Sequence, residues 1–246
     1  MKQELTMTAK LFLTELSAFQ SKAQLENVQK YFRDEGVETR FLGVPMRNIF
    51  LLAKKFAQMP LNEIGKLLES KFYEARMGAI SIMDFRARDK KTTTEVKKKL
   101  FDLYISKHNC INNWDLVDRG APYIVGGYLS DKPRKILYKL AKSKNVWERR
   151  TAIVATYYFI RQNDVQDTFK IAEILVHDKH DLINKAVGSW VREAGKRDKQ
   201  KLLGFLDKFA PLMPRITLSY SIEKLDRKLK DIYLNAGKLK KQRHRL

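Results

Sequence analysis

VWERRTAIVATYYFI, residues 146–160, is the stretch that decides the fold, because its apolar residues recur at the spacing of a helix. The apolar stripe consists of Val146, Ile153, Tyr157 and Ile160. Most other segments show the same periodicity, and no run of alternating apolar and polar residues is long enough for a sheet. We therefore predict an all-α protein with about twelve to fourteen helices of ordinary length.

The same stretch has counterparts earlier and later in the chain. YEARMGAI at residues 73–80 aligns with WERRTAIV at 147–154, an offset of 74. WERRTAIV in turn aligns loosely with INKAVGSW at 183–190, an offset of 36. A period near 37 (about half of 74) is typical of two-helix solenoid repeats. Together with the charge described below, it predicts a C-shaped α-solenoid with a basic concave face.

The repeats predict one domain over residues 1–236, in which residues 1–40 form N-terminal cap helices. Residues 237–246, GKLKKQRHRL, form a basic C-terminal tail with five Lys or Arg residues. The tail is either a frayed end or a phosphate-binding arm, and in both cases we expect it to add non-specific affinity for phosphates.

The composition favours a polyanionic partner. The 246 residues include 49 Lys and Arg against 28 Asp and Glu, which gives a net charge of +21. Such an excess favours nucleic acid, and the alternative is a solvated basic surface without a fixed ligand. A single cysteine, Cys110, excludes an internal disulfide framework, and no apolar run approaches the roughly 20 residues of a membrane span. We predict a monomeric cytoplasmic protein with no membrane partner.

The sequence lacks the residue patterns of most metal and cofactor sites. His177 and His180 are three residues apart, but no cysteine or further histidine joins them. The 11 glycines do not follow the spacing of a phosphate-binding loop. We expect no metal and no cofactor, so an enzyme here would work with carboxylates, aromatic rings and cations.

The candidate chemistry lies in INNWDLVDRGAPYIVGGYL, residues 111–129. In a helix, Trp114 and Asp118 project from one face, because four residues make slightly more than one turn. A carboxylate beside an aromatic ring, in a cationic protein, suits chemistry on an electron-poor sugar next to a phosphate. Two alternatives stay open: Trp114 is ordinary core, or Asp115 or Asp118 only supports the helix start after two asparagines.

Three blocks of the sequence resemble the AlkD-like DNA alkylation repair family. They are INNWDLVD at 111–118, LYKLAKSKNVWERRTAIV at 137–154 and KIAEILVHDKHDLINKAVGSWVREAGKRD at 170–198. The resemblance covers roughly residues 40–225. It implies a right-handed superhelical α-solenoid of HEAT-like two-helix repeats. It also implies a DNA glycosylase that hydrolyses the N-glycosidic bond of cationic N-alkylated purines, mainly 3-methyladenine and 7-methylguanine, in duplex DNA during base excision repair.

The resemblance also assigns residues. It places the catalytic carboxylate at Asp118 and its aromatic partner at Trp114, with a phosphate-binding arginine at Arg150. Further DNA contacts fall on Arg192 and Lys196. A fixed carboxylate stabilises positive charge on the deoxyribose, an aromatic face contacts the electron-poor sugar, and a guanidinium holds the flanking phosphate. The alternative for Arg150 is a surface ion pair. Family members need no tight base-binding pocket, unlike base-flipping glycosylases.

One position departs from the family pattern, which has a second tryptophan directly after Gly188. This chain has Ser189 there and Trp190 one place later, and both remain candidates for DNA contact. One residue is about 100° around a helix, so three outcomes stay open: a distortion turns Trp190 into the groove, one tryptophan suffices, or catalysis is lost. Without a proline or insertion nearby, we expect Trp190 in the core between repeats.

Two other functions compete with the glycosylase. The first is a non-catalytic member of the same fold that binds DNA or branched DNA, which Ser189 favours and the intact pair of Trp114 and Asp118 disfavours. The second is an α-solenoid scaffold for a protein partner. A scaffold predicts a groove rich in apolar or acidic residues, whereas the excess in this chain is basic.

Overall fold

The computed structural model describes the backbone of residues 7–31 and 39–243, and the side chains of residues 7–28 and 39–236. Within these ranges the chain forms fifteen α-helices, one 3-10 helix and one π-helix. An isolated bridge between Arg40 and Phe72 is the one strand-like pairing in the described part of the chain. The predicted all-α fold class is confirmed. The helix count slightly exceeds the prediction because bends such as the one at Thr156 divide long helical segments.

The chain divides into two compact units, Met1–Tyr128 and Leu129–Leu246. The α-helices of the first unit are α1 (Ala9–Ser17), α2 (Lys22–Tyr31), α3 (Met46–Lys55), α4 (Leu61–Leu68), α5 (Tyr73–Arg88), α6 (Thr94–Ser106) and α7 (Trp114–Gly120). A 3-10 helix at His108–Cys110 precedes α7, and a π-helix at Ala121–Gly126 follows it.

The α-helices of the second unit are α8 (Lys135–Leu140), α9 (Val146–Ala155), α10 (Tyr157–Arg161), α11 (Gln166–Leu175), α12 (Asp181–Gly195), α13 (Lys199–Phe209), α14 (Arg215–Ser221) and α15 (Arg227–Arg243). Helix α15 continues through most of the predicted tail. The tail side chains, and residues 244–246, lie outside the described residues. The predicted domain boundaries stay a prediction.

Helix α5 is the centre of the first unit, because every residue from Tyr73 to Asp84 is buried. Glu74 is fully buried, and its carboxylate accepts the backbone N–H groups of Leu42 and Gly43, each at 2.9 Å. Gly43 adopts a φ of 75°, a left-handed conformation that favours glycine. These contacts fix Leu42 and Gly43, just before α3, against the central helix.

Side-chain hydrogen bonds show that the internal repeat has an offset of 73 and not 74. Ser70 and Ser143 each accept, through the hydroxyl, the backbone N–H two residues later. The carbonyl of each serine accepts from the arginine six residues later, Arg76 Nη1 at 2.8 Å and Arg149 Nη1 at 2.9 Å. The counterpart of Arg76 is therefore Arg149. Arg150 lies outside this repeated contact.

Candidate functional site

Helix α7 begins at Trp114 because Asn113 caps it. The Asn113 side chain accepts the backbone N–H of Asp115 at 3.5 Å, and Asn113 itself is buried. Neither Asp115 nor Asp118 is the N-cap. Asp115 lies in the first turn of α7, where the backbone N–H of Leu116 lowers the pKa of its carboxyl, so support of the helix start stays an alternative for Asp115. Trp114 and Asp118 are both half-buried on this one helix. Trp114 is therefore not an ordinary, fully buried core residue.

A proline sets the end of α7. Pro122 has no N–H to donate to the carbonyl of Asp118, so regular α-helical spacing cannot continue. The chain widens into the π-helix instead, in which Gly127 N donates to the Pro122 carbonyl at 3.0 Å. Just before it, Gly120 packs so closely that a Cβ there would lie 2.8 Å from the Tyr104 ring. Short π-helical turns of this kind are frequent at functional sites.

A cavity of about 530 Å³ lies beside Trp114 in the first unit. Its walls carry the aromatic rings of Phe50, Tyr73 and Trp114, together with valine and methionine side chains. The polar residues of the lining are Gln24, Asn27, Asp115 and Arg119. Of the two predicted site residues in the described part of this unit, Trp114 lines the cavity and Asp118 does not. The sequence did not predict this cavity.

Asp115 is the carboxylate of the cavity wall. Its Oδ2 accepts a hydrogen bond from the Tyr73 hydroxyl. Its Oδ1 is buried and has no hydrogen-bond partner within the described residues. Burial raises the pKa of Asp115 to about 6, against the lowering effect of hydrogen bonds from the Tyr73 hydroxyl and from the backbone N–H of Leu116. The charge of the nearby Asp118 adds a smaller rise. Burial, followed by the charge of Asp115, raises the pKa of Tyr73, which keeps its hydroxyl proton available for this bond.

Arg119 brings a positive charge to the cavity wall, close to the buried carboxylate of Asp84. Arg119 Nη2 lies 2.9 Å from Asp84 Oδ2, and Asp84 is 1% exposed. Arg88 approaches the same carboxylate oxygen at 3.4 Å. The Arg119 guanidinium also lies over the rings of Phe50 and Phe85, 4.7 and 4.9 Å from their centroids. Arg119 is thus held in the wall by Asp84 and two aromatic rings, but it shares the one carboxylate with Arg88, and its Nε is buried without a hydrogen-bond partner among the described residues.

Arg150 in the second unit is buried, with 8% exposure. Its Nη1 donates to the Leu182 carbonyl in the first turn of α12, at 2.7 Å. The neighbouring Arg149 makes the ion pair that we considered for Arg150, with Nε 2.6 Å from Asp178 Oδ2. The role of Arg150 as a phosphate clamp stays a prediction.

Helix α12 is regular from Asp181 to Gly195, so no distortion displaces Trp190. Trp190 is half-buried rather than in the core as we expected, and its ring lies 4.9 Å from that of Tyr157. Ser189, beside it, is half-buried as well. The first of the three outcomes, in which a helix distortion turns Trp190 into the groove, is therefore wrong.

Arg192 and Lys196, which the resemblance assigned to DNA contact, lie together at the end of α12. They line a small cavity of about 260 Å³ with two further lysines. Arg192 pairs with Glu223 and Glu193, and Lys196 Nζ lies 2.6 Å from Glu193. Lys196 is exposed and Arg192 is half-buried. Ion pairs this close to the surface contribute little to stability. Contact with DNA stays a prediction for both residues.

The match to a known family lies over most of the chain. Residues 12–225 match the model of the DNA alkylation repair enzyme family. The chain belongs to the DNA alkylation repair enzyme family. This confirms the resemblance seen in the sequence. No curated protein sequence matches the chain.

Solved structures of DNA alkylation repair proteins are similar to this one. A predicted DNA alkylation repair enzyme from Enterococcus faecalis has a TM-score of 0.65 and 15% identity, over 85% of this chain and 97% of that one. AlkD2 from Streptococcus mutans has a TM-score of 0.52 and 16% identity, over 89% of this chain and 97% of that one. At 15–16% identity, this similarity shows that the chain has the same fold as these two proteins.

The described residues of this DNA alkylation repair family member contain no group of three or more histidine, cysteine or acidic side chains placed to hold a metal ion. In the same part of the chain, no helix has the length and apolar character to cross a membrane. Cys110 is half-buried, and burial raises the pKa of its thiol, which keeps the sulfur protonated and poorly nucleophilic.

Asp115→Asn is expected to stabilise the protein at pH 7 by about 2 kcal/mol. The folded-state pKa of about 6 lies above the ordinary value of 3.8, so the folded state binds this proton more tightly than the unfolded chain does. The contribution of Asp115 to the free energy of unfolding therefore falls as pH rises from about 3.8 to about 6, and it reaches its lowest value above that range. A shift of this size corresponds to roughly 3 kcal/mol, which we reduce for partial solvent screening.

Urea unfolding of both proteins at pH 4 and pH 7 tests this prediction. Asparagine keeps an oxygen that accepts from the Tyr73 hydroxyl, so the comparison isolates the charge. We expect a clear gain at pH 7 and a much smaller one at pH 4. Equal differences at the two pH values would show that ionisation of Asp115 does not cause the effect.

Proposed function

We propose that this family member is a DNA glycosylase that hydrolyses the N-glycosidic bond of cationic N-alkylated purines, such as 3-methyladenine and 7-methylguanine, in duplex DNA. One observation carries the proposal. In a chain of the DNA alkylation repair family, Trp114 and Asp118 lie half-buried on the short helix α7, next to an aromatic-lined cavity.

The chemistry fits these residue types. An N-alkylated purine is already a cation, so it leaves as a neutral base when the bond from C1′ to the ring nitrogen breaks and the bonding electrons depart with the base. Positive charge then develops on the deoxyribose. The Asp118 carboxylate stabilises that charge and orients the water that adds to C1′, and the Trp114 face contacts the sugar. The proton lost from the water passes to a carboxylate or to solvent.

The remaining candidates act on the DNA backbone in this proposal. Arg150 holds a phosphate, and Arg192 and Lys196 exchange their glutamate partners for phosphates. Ser189 and Trp190 contact the backbone from the exposed part of α12. The net charge of +21 supports binding to duplex DNA of any sequence, with affinity that falls steeply as salt rises. We place the protein in the cytoplasm as a monomer.

A non-catalytic DNA-binding protein is the second candidate, and Ser189 favours it. Because α12 is undistorted, Trp190 does not take the position of the tryptophan that the family pattern has directly after Gly188. If that second ring is essential, the protein binds DNA, or branched DNA, without cutting the glycosidic bond.

A base-release assay separates the two candidates. We expect wild-type protein to release free 7-methylguanine from a methylated duplex, detected by chromatography and mass spectrometry, and to release no base from the unmethylated duplex of the same sequence. DNA binding measured on both duplexes accompanies the assay. Binding without any release would establish the non-catalytic candidate, and failure to bind either duplex would support the protein scaffold.

A further inference from the structure

Arg88, the last residue of α5, carries a guanidinium that the proposed function does not use. Its side chain is 43% exposed and lies over the ring of Tyr123, with the guanidinium carbon 4.1 Å from the ring centroid. Tyr123 belongs to the π-helix at Ala121–Gly126. A ring under the face of a guanidinium fixes its plane and leaves its N–H groups directed sideways. Tyr123 therefore holds Arg88 ready for a planar contact with a ligand.

The carboxylate next to Arg88 holds it only loosely. Asp84 is buried and uses one oxygen for two guanidiniums, because its Oδ2 lies 2.9 Å from Arg119 Nη2 and 3.4 Å from Arg88 Nη1. Charged pairs of this kind normally lie at roughly 2.7–2.9 Å, so Arg119 is the closely held partner. Asp84 Oδ1 has no hydrogen-bond partner within the described residues. Asp89 follows Arg88, but its Oδ1 accepts the backbone N–H of Lys91 at 2.9 Å.

A second exposed cation belongs to the same set of contacts. Lys54, in the last turn of α3, lies over the ring of Phe85 with Nζ 5.5 Å from the centroid, and the Arg119 guanidinium lies over that ring at 4.9 Å. Lys54 and Arg88 are both exposed, whereas Arg119 is half-buried. Three positive charges are thus linked through one aromatic ring and opposed by one buried carboxylate, that of Asp84.

This excess of charge and donors selects an anion with several acceptor oxygens. A guanidinium has five N–H donors and no acceptor, and its fork matches two oxygens of one phosphate or carboxylate. A phosphodiester offers two such oxygens and recurs along a nucleic-acid strand, so that neighbouring cations can each contact one. The carboxylates of an acidic protein offer similar oxygens, but the net charge of +21 and the family favour DNA.

The first unit otherwise lacks a proposed grip on the DNA backbone. Every residue that the proposed function assigns to a phosphate or to the backbone lies after Leu129, in the second unit. Trp114 and Asp118, which act on the sugar in that proposal, lie in the first unit. A phosphate contact within the first unit would hold the strand by the same body that carries these two residues, and closely held reacting groups are what fast chemistry needs.

We propose that Arg88, held on the ring of Tyr123, binds a phosphodiester of the DNA strand, and that Lys54 contacts a neighbouring phosphate. Arg88 exchanges its long contact with Asp84 for the phosphate oxygens, and Asp84 then serves Arg119 alone. The proposal rests on the proposed function for duplex DNA as the partner. It holds whether or not the protein releases a base, because a phosphate contact needs no cleavage.

The affinity for an unmodified duplex, measured by fluorescence anisotropy over a series of NaCl concentrations, tests the proposal. Each phosphate that a cation neutralises contributes about 0.9 to the slope of log affinity against log salt. We expect Arg88→Ala to lower the affinity at least about tenfold and the slope by about 0.9. Arg88→Lys should keep the slope, because it keeps the charge, and lose less affinity. An unchanged slope in Arg88→Ala would overturn the proposal.

Variants of Tyr123 test the part of the ring. Tyr123→Phe keeps the aromatic face and should bind like wild type, whereas Tyr123→Ala should weaken binding about threefold. In the Arg88→Ala background, Tyr123→Ala should have no further effect, because its partner is gone. An equal loss in both backgrounds would show that the ring does not act through Arg88. The melting temperature of each variant confirms that it is folded.

Lys98→Ala is the matched control. It removes one positive charge from α6 of the same unit, where Lys98 is exposed and pairs with Asp102 at 2.6 Å. We expect it to keep both the affinity and the slope. A loss equal to that of Arg88→Ala would assign the effect to net charge and refute the site. So would an effect of Arg88→Ala on the binding of polyglutamate but not of DNA.

The same measurements separate this inference from the proposed function. A steep salt dependence in wild type without an effect of Arg88→Ala would refute this inference alone. The expected effect of Arg88→Ala, in a protein that releases no base, would support this inference and refute the proposed glycosylase alone. A wild-type protein without affinity for duplex DNA would overturn both.

Discussion

Asp118→Asn is expected to lower the rate of base release from alkylated duplex DNA by at least about 100-fold, with the fold and most of the DNA affinity retained. Asparagine has the shape of aspartate but lacks the charge that faces the developing sugar cation. Removal of one electrostatic group at a transition state typically costs a factor of about 100 to 1,000 in rate. Single-turnover base release, with protein in excess over methylated duplex, measures this step directly.

The controls for this variant are its melting temperature and the corresponding change at Asp115. If the melting temperature of Asp118→Asn falls far below that of wild type, Asp118 has a structural role. If base release continues at the wild-type rate, another carboxylate carries the reaction. Asp115 is then the first to test, because it lines the cavity together with Trp114. Asp115→Asn should remain folded, so its rate is interpretable on its own.

Gly188→Ala is expected to destabilise the protein by about 3 kcal/mol, near the upper end for an overpacked site. Gly188 lies where α12 approaches α14 most tightly. A Cβ there would be 2.6 Å from Tyr220 Cβ and 2.7 Å from the Thr217 carbonyl oxygen. One of these atoms is backbone, so the methyl group is accommodated only if the two helices move apart. Ser189 and Trp190, the next two residues, would move with them.

Gly204→Ala provides the matched control. Gly204 also lies inside a helix, α13, but a Cβ there has no atom within 4 Å among its described surroundings. Alanine favours helix over glycine by roughly 0.5–1 kcal/mol, so this variant should be more stable than wild type. Denaturant unfolding of both variants measures the free energies. A loss of less than 1 kcal/mol at Gly188 would contradict the tight approach of α12 and α14.

Much of this protein follows from its sequence, because helical periodicity and capping are local. The apolar stripe of 146–160 predicts helices there, and α9 and α10 cover that range. Asn145 precedes α9 and caps it, accepting from Trp147 N at 2.8 Å. The three sequence blocks between residues 111 and 198 indicate the family, and the family model matches residues 12–225. The spacing of Trp114 and Asp118 also places both on one helix, because four residues are about one turn.

The tertiary structure decided what no local pattern encodes. Periodicity was satisfied by an offset of 74, whereas the hydrogen bonds of Arg76 and Arg149 require 73. The sequence allowed Trp190 to lie either in the groove or in the core between repeats. In the structure its ring packs against Tyr157 and is half-buried. A helical stripe fixes which face of a helix is apolar but not which helix covers it.

The cavity shows the same limit most clearly. Its walls come from α2, α3, α5 and α7, whose residues lie tens of positions apart in the chain. The spacing from Trp114 favoured Asp118 over Asp115 but did not show which of the two carboxylates is buried. The burial of Asp115 beside the distant Tyr73 is what raises its pKa and leaves one of its oxygens unpartnered in the described structure. Local sequence thus determined the helices and the family, and packing between distant helices determined which carboxylate faces the cavity, because burial is a property of the assembled fold.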